Sequence, residues 1–297
     1  MKKLYLLVSL LMVASMLLAG CAPKEPDLGT EENPIQWVFV PSGELERVST
    51  GANKVADLIF DETGLVIETF VATDYTAAIE AECSDPPQAH IGSLATFALI
   101  TAADRGCAYP GLVADRRGSL TYTGQIFAHV DSGIETLEDI AGKTFCATEP
   151  TSTSGWIIPS VMLRAAGLEP DVDFDVLYAG SHDAAVAGVY NGDCQAGASY
   201  VDARATVEEQ YTDVMDVIKI VEVSIEIPND GVQFVDSFPE EMKQQIIDAL
   251  LKIAGTEEGA AALNEAYQWD GLQVKDNTFY DPFRQLLDAA GVKAEEL

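Results

Sequence analysis

The sequence predicts an α/β fold of two lobes, each a doubly wound sheet with helices packed against it and a cleft between the lobes. Three observations carry this. Short β-rich runs alternate with helical ones, which is the pattern of parallel strands joined by crossover helices. The order strand, helix, strand, helix, strand occurs once before residue 105 and restarts at Gly142. The chain has 297 residues, 48% of them hydrophobic, enough for a large core and for one or two domains.

Residues 1–20 read as lying outside the fold. Lys2 and Lys3 form a basic start, and the apolar run 4–18 is too short for a comfortable membrane span. It ends in Leu18-Ala19-Gly20-Cys21, which resembles a bacterial lipobox, where Cys21 becomes the lipidated N-terminal residue. The plainer alternative is an ordinary secretion signal with an incidental cysteine. Residues 21–33 are rich in Pro, Gly and acidic side chains that build no core, so they read as a solvated tether.

The first unit follows. Residues 35–40 read as a strand, Pro41-Ser42-Gly43 as a turn, and 44–62 as a helix with Leu45, Val48, Val55, Leu58 and Ile59 at helical spacing. Strands at 65–71 and 89–92 and helices at 74–82 and 93–105 complete it. The second unit places strands at 143–147, 174–178 and 194–199, with helices at 155–166 and 182–190. Residues 235–297 read as helical: 239–254 carries Met242, Ile246, Ile247, Leu250, Leu251 and Ile253 on one stripe and stops at Gly255, with further helices at 256–266 and 282–290. Crossovers between the lobes are expected near 119–125 and 223–233. Lobe 1 is accordingly 34–121 plus 231–297, and lobe 2 is 122–230. Two such lobes offer a cleft that closes around a ligand by hinge motion.

Charge narrows the function classes. Against 48 Asp+Glu stand 17 Lys+Arg, a net charge of −31. Phosphate backbones and anionic membrane surfaces are held by Lys and Arg clusters, and none occurs, so nucleic acid and a charged bilayer are both poor partners. The acidity invites the inference of a cationic ligand, which the motifs oppose. Exported as the N-terminus indicates, the chain keeps Cys83, Cys107, Cys146 and Cys194 in an oxidising compartment. Their order favours the pairs Cys83–Cys107 and Cys146–Cys194, one per lobe; unpaired buried thiols are the alternative. No two cysteines stand two to four residues apart, so no metal site is expected, and no cofactor motif is found.

The chemistry concentrates at two strand-to-helix turns. Glu149-Pro150-Thr151-Ser152-Thr153-Ser154-Gly155-Trp156 follows a strand and opens a helix. Free N–H groups and the partial positive charge of a helix start bind anions without a cation, hydroxyls add donors, and Gly155 lets the backbone approach a ligand. A lone Ser or Thr there is commonly just a cap, but here the hydroxyl residues run on. One unit later, Gly180-Ser181-His182-Asp183 stands in the same place, where α/β sites form. Ser181 and Asp183 as caps are the bland reading; Ser181 or His182 on the ligand is the sharp one.

Ser152-Thr153-Ser154-Gly155 with Pro159, then Ala179-Gly180-Ser181-His182-Asp183-Ala184-Ala185-Val186, resembles the phosphate/phosphite/phosphonate-binding proteins of ABC importers, periplasmic binding proteins of the type II fold. Asp74-Tyr75, Gly118-Ser119-Leu120-Thr121-Tyr122, Tyr200-Val201-Asp202 and Ile227-Pro228-Asn229-Asp230 match in the same order. The resemblance implies that Ser152, Thr153 and Ser154 hold the oxygens on phosphorus, that Tyr75 and Tyr122 approach from the other lobe and the crossover, and that Ser181 and His182 complete the cage. Asp202 and Asp230 either accept a hydrogen bond from a P–OH or hold an ammonium, as in relatives that bind aminoalkylphosphonates; solvated surface acids are the alternative. It further implies a monomer that delivers a small phosphorus oxyanion to permease and ATPase subunits, without catalysis, held by hydrogen bonds in a dry cleft and not by paired cations. Trp156 reads as core and Asp74 as a helix cap. An enzyme on this fold finds little support, since Gly-x-Ser-x-Gly and His-Glu-x-x-His are absent and only His90, His129 and His182 are available. A ligand receptor docked to a sensor is the third reading, which neighbouring kinase rather than permease genes would favour.

Overall fold

Two mixed sheets organise the chain in the computed structural model, which describes residues 26–293. The signal at 1–20 and Cys21 lie outside the described residues. One sheet contains β1 (Ile35–Phe39), β2 (Ile67–Val71), β3 (Ile91–Ser93), β4 (Ala108–Asp115), β10 (Gly231–Val235) and β11 (Gly271–Val274). The other contains β5 (Thr121–His129), β6 (Thr144–Ala147), β7 (Asp175–Tyr178), β8 (Ala196–Tyr200) and β9 (Ile218–Pro228). The first runs β11-β4-β10-β3-β1-β2 and the second β7-β6-β8-β5-β9.

Within each sheet the first βαβαβ unit is parallel with the order 2-1-3: β1 lies between β2 and β3, and β6 between β7 and β8. The sheets are not wholly parallel, however. β10 runs antiparallel to β3 and β4, β11 antiparallel to β4, and β5 antiparallel to both β8 and β9. No helix separates β4 from β5 or β9 from β10, because at both places the chain steps directly from one sheet to the other. Residues 121–125 and 223–228, expected as crossover, belong to strands because β5 and β9 pair with each other through them. β11 also interrupts the stretch expected to be helical from 235 onward, pairing on the edge of β4.

The chain thus passes between sheets at 116–120 and 229–230, and these links lie side by side. Asn229 rivets them: its Nδ2 donates to Ala114 O at 2.8 Å and Ser119 O at 2.9 Å, its N–H donates to Leu120 O, and its own carbonyl accepts from Tyr280 Oη at 3.0 Å.

Helices α1 (Leu45–Thr63), α2 (Tyr75–Cys83), α3 (Thr96–Asp104), α4 (Ile158–Ala165), α5 (His182–Asn191), α6 (Glu240–Ala254), α7 (Glu257–Tyr267) and α8 (Asp281–Ala289) cover the sheets. α1 shows the logic: Val48, Ala52, Val55, Ala56 and Ile59 recur at helical spacing and are buried, while the opposite face is charged. The described half of the expected tether is folded. Leu28 packs on the core, Gly29 N–H donates to Asn33 O at 2.8 Å, and Val66 N–H donates to Gly29 O at 2.9 Å, so residues 26–33 dock beside β2 as a turn. Two disulfides are formed. Cys83 at the end of α2 joins Cys107 ahead of β4, and Cys146 in β6 joins Cys194, two residues ahead of β8.

Candidate functional site

Between the sheets lies a cavity of about 800 Å³. One wall is built where β6 gives way to a helix. Ser152 closes the first turn, accepting Gly155 N–H on its Oγ at 3.3 Å. Its carbonyl accepts both Trp156 N–H at 3.0 Å and Ile157 N–H at 2.9 Å, so residues 153–157 form a wide π-type turn that runs on into α4. Such turns concentrate at functional sites. Ser152, Thr153 and Ser154 line the cavity and are buried together at this helix start. Gly155 has a packing reason of its own. A Cβ there would lie 2.1 Å from Thr148 Oγ1 and 2.4 Å from Thr148 Cβ, so the glycine lets the turn pack on the end of β6, inside its own lobe. Trp156 is core, edge-on to Tyr178 at 5.7 Å, and Asp74 caps α2 through Ala77 N–H.

The opposite wall carries Tyr75, the first residue of α2, fully buried. Its Oη makes no hydrogen bond of ordinary geometry. Burial drives its pKa far above the ordinary phenol value, with the nearby Ser152 hydroxyl acting the other way, so it stays a protonated donor. Tyr122, on β5 beside the crossover, is likewise held protonated, first by burial and then by the Asp230 charge. His182 opens α5 with Nδ1 2.7 Å from Ser199 Oγ and its ring edge-on to Tyr200 at 4.8 Å. Burial, with Arg116 adding to it, pushes the His182 pKa down to about 3, so the ring is neutral at physiological pH.

Of the residues expected in the site, Tyr75, Tyr122, Ser152, Thr153, Ser154, His182, Asp202 and Asp230 line this one cavity. Ser181 does not. Its Oγ accepts Ala184 N–H at 3.2 Å and caps α5, the bland role of a serine before a helix. The two acids are present but engaged. Asp202 is gripped by Arg204 Nη2 at 2.5 Å and Nε at 2.9 Å and by Gln125 Nε2 at 3.1 Å. Burial would raise its pKa, but these partners outweigh it and hold the carboxyl below the usual range. Asp230 lies 2.7 Å from Arg116 Nη1 and accepts Trp269 Nε1–H at 3.2 Å.

Arg116 corrects the expectation of a cleft without cations. It lines the cavity with its guanidinium carbon 5.8 Å from the centre of the Tyr122 ring. Burial disfavours its charge, yet the Asp230 carboxylate outweighs that and keeps it protonated. Sequence reading also passed over Ser42, Tyr200 and Tyr267, all on the cavity wall. A signal for Arg116 was present: Arg116-Arg117 is a paired cation at a crossover, in a chain with only 17 Lys+Arg.

The walls are drawn together by contacts between them. Thr153 Oγ1 accepts Phe97 N–H at 2.8 Å, His182 N–H donates to Ser42 O at 3.3 Å, Glu44 N–H donates to Asp183 Oδ2 at 3.0 Å, and Gln268 Nε2 donates to Tyr200 Oη at 3.1 Å.

Two α/β sheets of this order, two adjacent links and a hydroxyl-lined cleft between them define a class: the type II periplasmic solute-binding proteins, to whose solved members the chain is similar in fold. Within that class the chain belongs to the family described as "ABC transporter, phosphonate, periplasmic substrate-binding protein", which matches residues 37–280. A relative, the phosphate-import protein PhnD of Mycolicibacterium smegmatis, is 25% identical over 201 residues, 63% of this chain; the matched segment spans 62% of that relative's own length. The crystal structure of a binding protein component of an ABC phosphonate transporter from Pseudomonas aeruginosa superposes with a TM-score of 0.79 at 22% identity, covering 87% of each chain. PhnD1 of Prochlorococcus marinus, solved in complex with methylphosphonate, superposes with a TM-score of 0.76 at 14% identity over 86% of this chain and 98% of its own. Among the described residues no helix is long and apolar enough to cross a membrane.

Proposed function

We propose that the protein is the solute-binding component of an ABC importer. It captures a small phosphorus oxyanion (phosphonate, phosphite or phosphate) in the interlobe cleft and delivers it to permease and ATPase subunits. The observation that carries this is the fully buried Tyr75 hydroxyl, which makes no hydrogen bond of ordinary geometry and faces the same cavity as Ser152, Thr153 and Ser154. A buried donor left unmade costs about 1–3 kcal/mol, and an oxyanion bound here removes that cost. The methylphosphonate complex of the Prochlorococcus relative supports the ligand class.

The lobes, 34–121 plus 231–297 and 122–230, act as two bodies hinged at the paired links, and the monomer is anchored outside the cytoplasmic membrane by lipid on Cys21. The reading is of a binder, not an enzyme. Ser199, bonded to His182, is fully buried and off the cavity wall, and a His182 with a pKa near 3 is a poor base at neutral pH.

Hydrogen bonds to a charged group contribute about 1.5–3 kcal/mol each. Titration calorimetry of the Ser152→Ala/Ser154→Ala double variant should therefore show affinity for phosphonate, phosphite or phosphate reduced roughly 100-fold or more. Unchanged affinity overturns the site. The surface makes a second, kinetic prediction. Loss of residues 1–20 removes Lys2 and Lys3 and takes the net charge from −31 to −33. That field repels an anion until salt screens it, so the association rate should rise with ionic strength in stopped-flow measurements. A rate that falls with salt contradicts the reading.

A further inference from the structure

Every carboxylate that lines the cavity is already bonded within the protein. Asp230 pairs with Arg116, Asp202 is clamped by Arg204, and Glu265 pairs with Lys54 Nζ at 2.6 Å. Asp270 accepts Arg117 N–H on Oδ2 at 2.7 Å and Asn264 Nδ2–H on Oδ1 at 3.1 Å. Three of these four acids thus already hold a cation of the protein, and the fourth, Asp270, is held by neutral donors at the exposed rim.

The Arg116–Asp230 pair is the least hospitable of these places. Arg116 and Asp230 are both largely buried, with side chains 23% and 15% exposed. A guanidinium has five N–H donors. Here Nη1 meets Asp230 Oδ1, and Nη2 donates to Tyr267 O at 3.2 Å. Donors remain on a group that lines the cavity, beside Tyr122. A ligand ammonium drawn to Asp230 would either displace the guanidinium, leaving a buried charge uncompensated, or sit against it as a like charge in a largely buried site. Both are costly. A ligand oxygen meets the opposite situation.

Resting on the proposed function, we propose that Arg116 sets ligand class: the cleft takes a phosphorus oxyanion that bears no amine, because the protein's own guanidinium occupies the position at Asp230 that a ligand ammonium would need, and its spare N–H groups bind the ligand's oxygens. Arg116 is a specificity-determining and binding residue of this chain.

The test compares aminoethylphosphonate with propylphosphonate, which carries a methyl group in place of the ammonium, by titration calorimetry on the purified protein at neutral pH. Propylphosphonate should bind more tightly by about tenfold or more. In Arg116→Met, which keeps the length and removes the charge, the freed Asp230 should move that preference at least about tenfold toward the amine. In Arg116→Met/Asp230→Asn, which leaves neither charge buried alone, no such shift should appear. Aminoethylphosphonate binding as tightly as propylphosphonate in the parent protein overturns the inference whatever the variants do, and so does a preference unmoved by Arg116→Met. If neither phosphonate, nor phosphite, nor phosphate binds the parent protein, the functional reading itself falls and the inference with it; an amine-bearing ligand that wins sinks only the inference.

Discussion

Glu82→Gln is expected to make the protein more stable than the parent at pH 8 and above by several kcal/mol, with the difference vanishing as the pH falls toward 4.5. Glu82 sits on α2, only 2% exposed. It fits beneath β3 because Gly92 has no side chain; a Cβ there would lie 2.1 Å from Glu82 Oε1. The partner it has is Gln233 Nε2, which donates to Oε2, while Glu82 Oε1 and Gln233 Oε1 are buried without a donor. Burial is the dominant influence and raises the Glu82 pKa from 4.5 to about 8, with the Gln233 hydrogen bond opposing it. The folded protein therefore holds a neutral carboxylic acid here, and its proton gives one of the two orphan oxygens a hydrogen to donate.

The pH dependence follows from the difference in proton affinity. Below 4.5 the group is protonated in both the folded and the unfolded chain, and its burial carries no ionisation penalty. Above that, the unfolded chain gives up its proton while the folded one retains it, so stability falls by about 1.4 kcal/mol per pH unit. The loss saturates above the folded pKa of about 8, at a total on the order of 5 kcal/mol. Glutamine is nearly isosteric and cannot ionise, and with Gln233 it supplies the donor and acceptor that the pair needs. Urea unfolding midpoints of the two proteins from about pH 5 to pH 9 check this. Parallel profiles would show that Glu82 ionises as an exposed glutamate does.

Nothing at 74–82 announces that burial, because Glu82 is one acid among 48 and its fate is decided by Gly92 and Gln233, which reach it only through the sheet. The parts that were legible are the local ones. Parallel strands buried on both faces read as apolar runs, as in Trp37-Val38-Phe39. The hydroxyl run at residues 151–154 stands out because one cap needs one hydroxyl. The antiparallel returns were harder, since Thr121 pairs with Pro228 and Val113 with Gly231, more than 100 residues away in sequence. Yet alternation of apolar and polar residues through 218–227 was there to read as a strand. Ser181 shows the opposite limit: a capping serine and a ligand serine are the same residue at the same kind of turn, and only geometry separates them. Asp230 is a similar case, its meaning changed by an arginine that follows a strand far upstream.

The Cys146–Cys194 bridge, legible from chain order, should matter both for stability and for the ligand, whereas Cys83–Cys107 should matter for stability alone. The sequence separations are 48 and 24 residues. Loop-closure entropy lost from the unfolded chain then stabilises the fold by about 4 kcal/mol for the longer loop and about 3.5 for the shorter. The functional contrast comes from position. Cys146 lies in β6, and that strand leads directly into Thr148, against which Gly155 and the hydroxyl turn pack. Cys194 ties β6 to the approach to β8, whose Ser199 positions His182. The bridge also supports α5, where a Cβ on Gly188 would lie 2.8 Å from Cys146 Sγ. Cys83–Cys107 fastens the far end of α2, eight residues beyond Tyr75, to the lead-in of β4. The Cys146→Ala/Cys194→Ala variant should therefore lose about 4 kcal/mol in chemical unfolding and bind its oxyanion measurably more weakly under conditions where it is still folded. The Cys83→Ala/Cys107→Ala variant should lose comparable stability and keep the parent affinity. Equal affinities in the two variants would mean that the hydroxyl turn holds its geometry without the strand that feeds it, and that β6 is only scaffold.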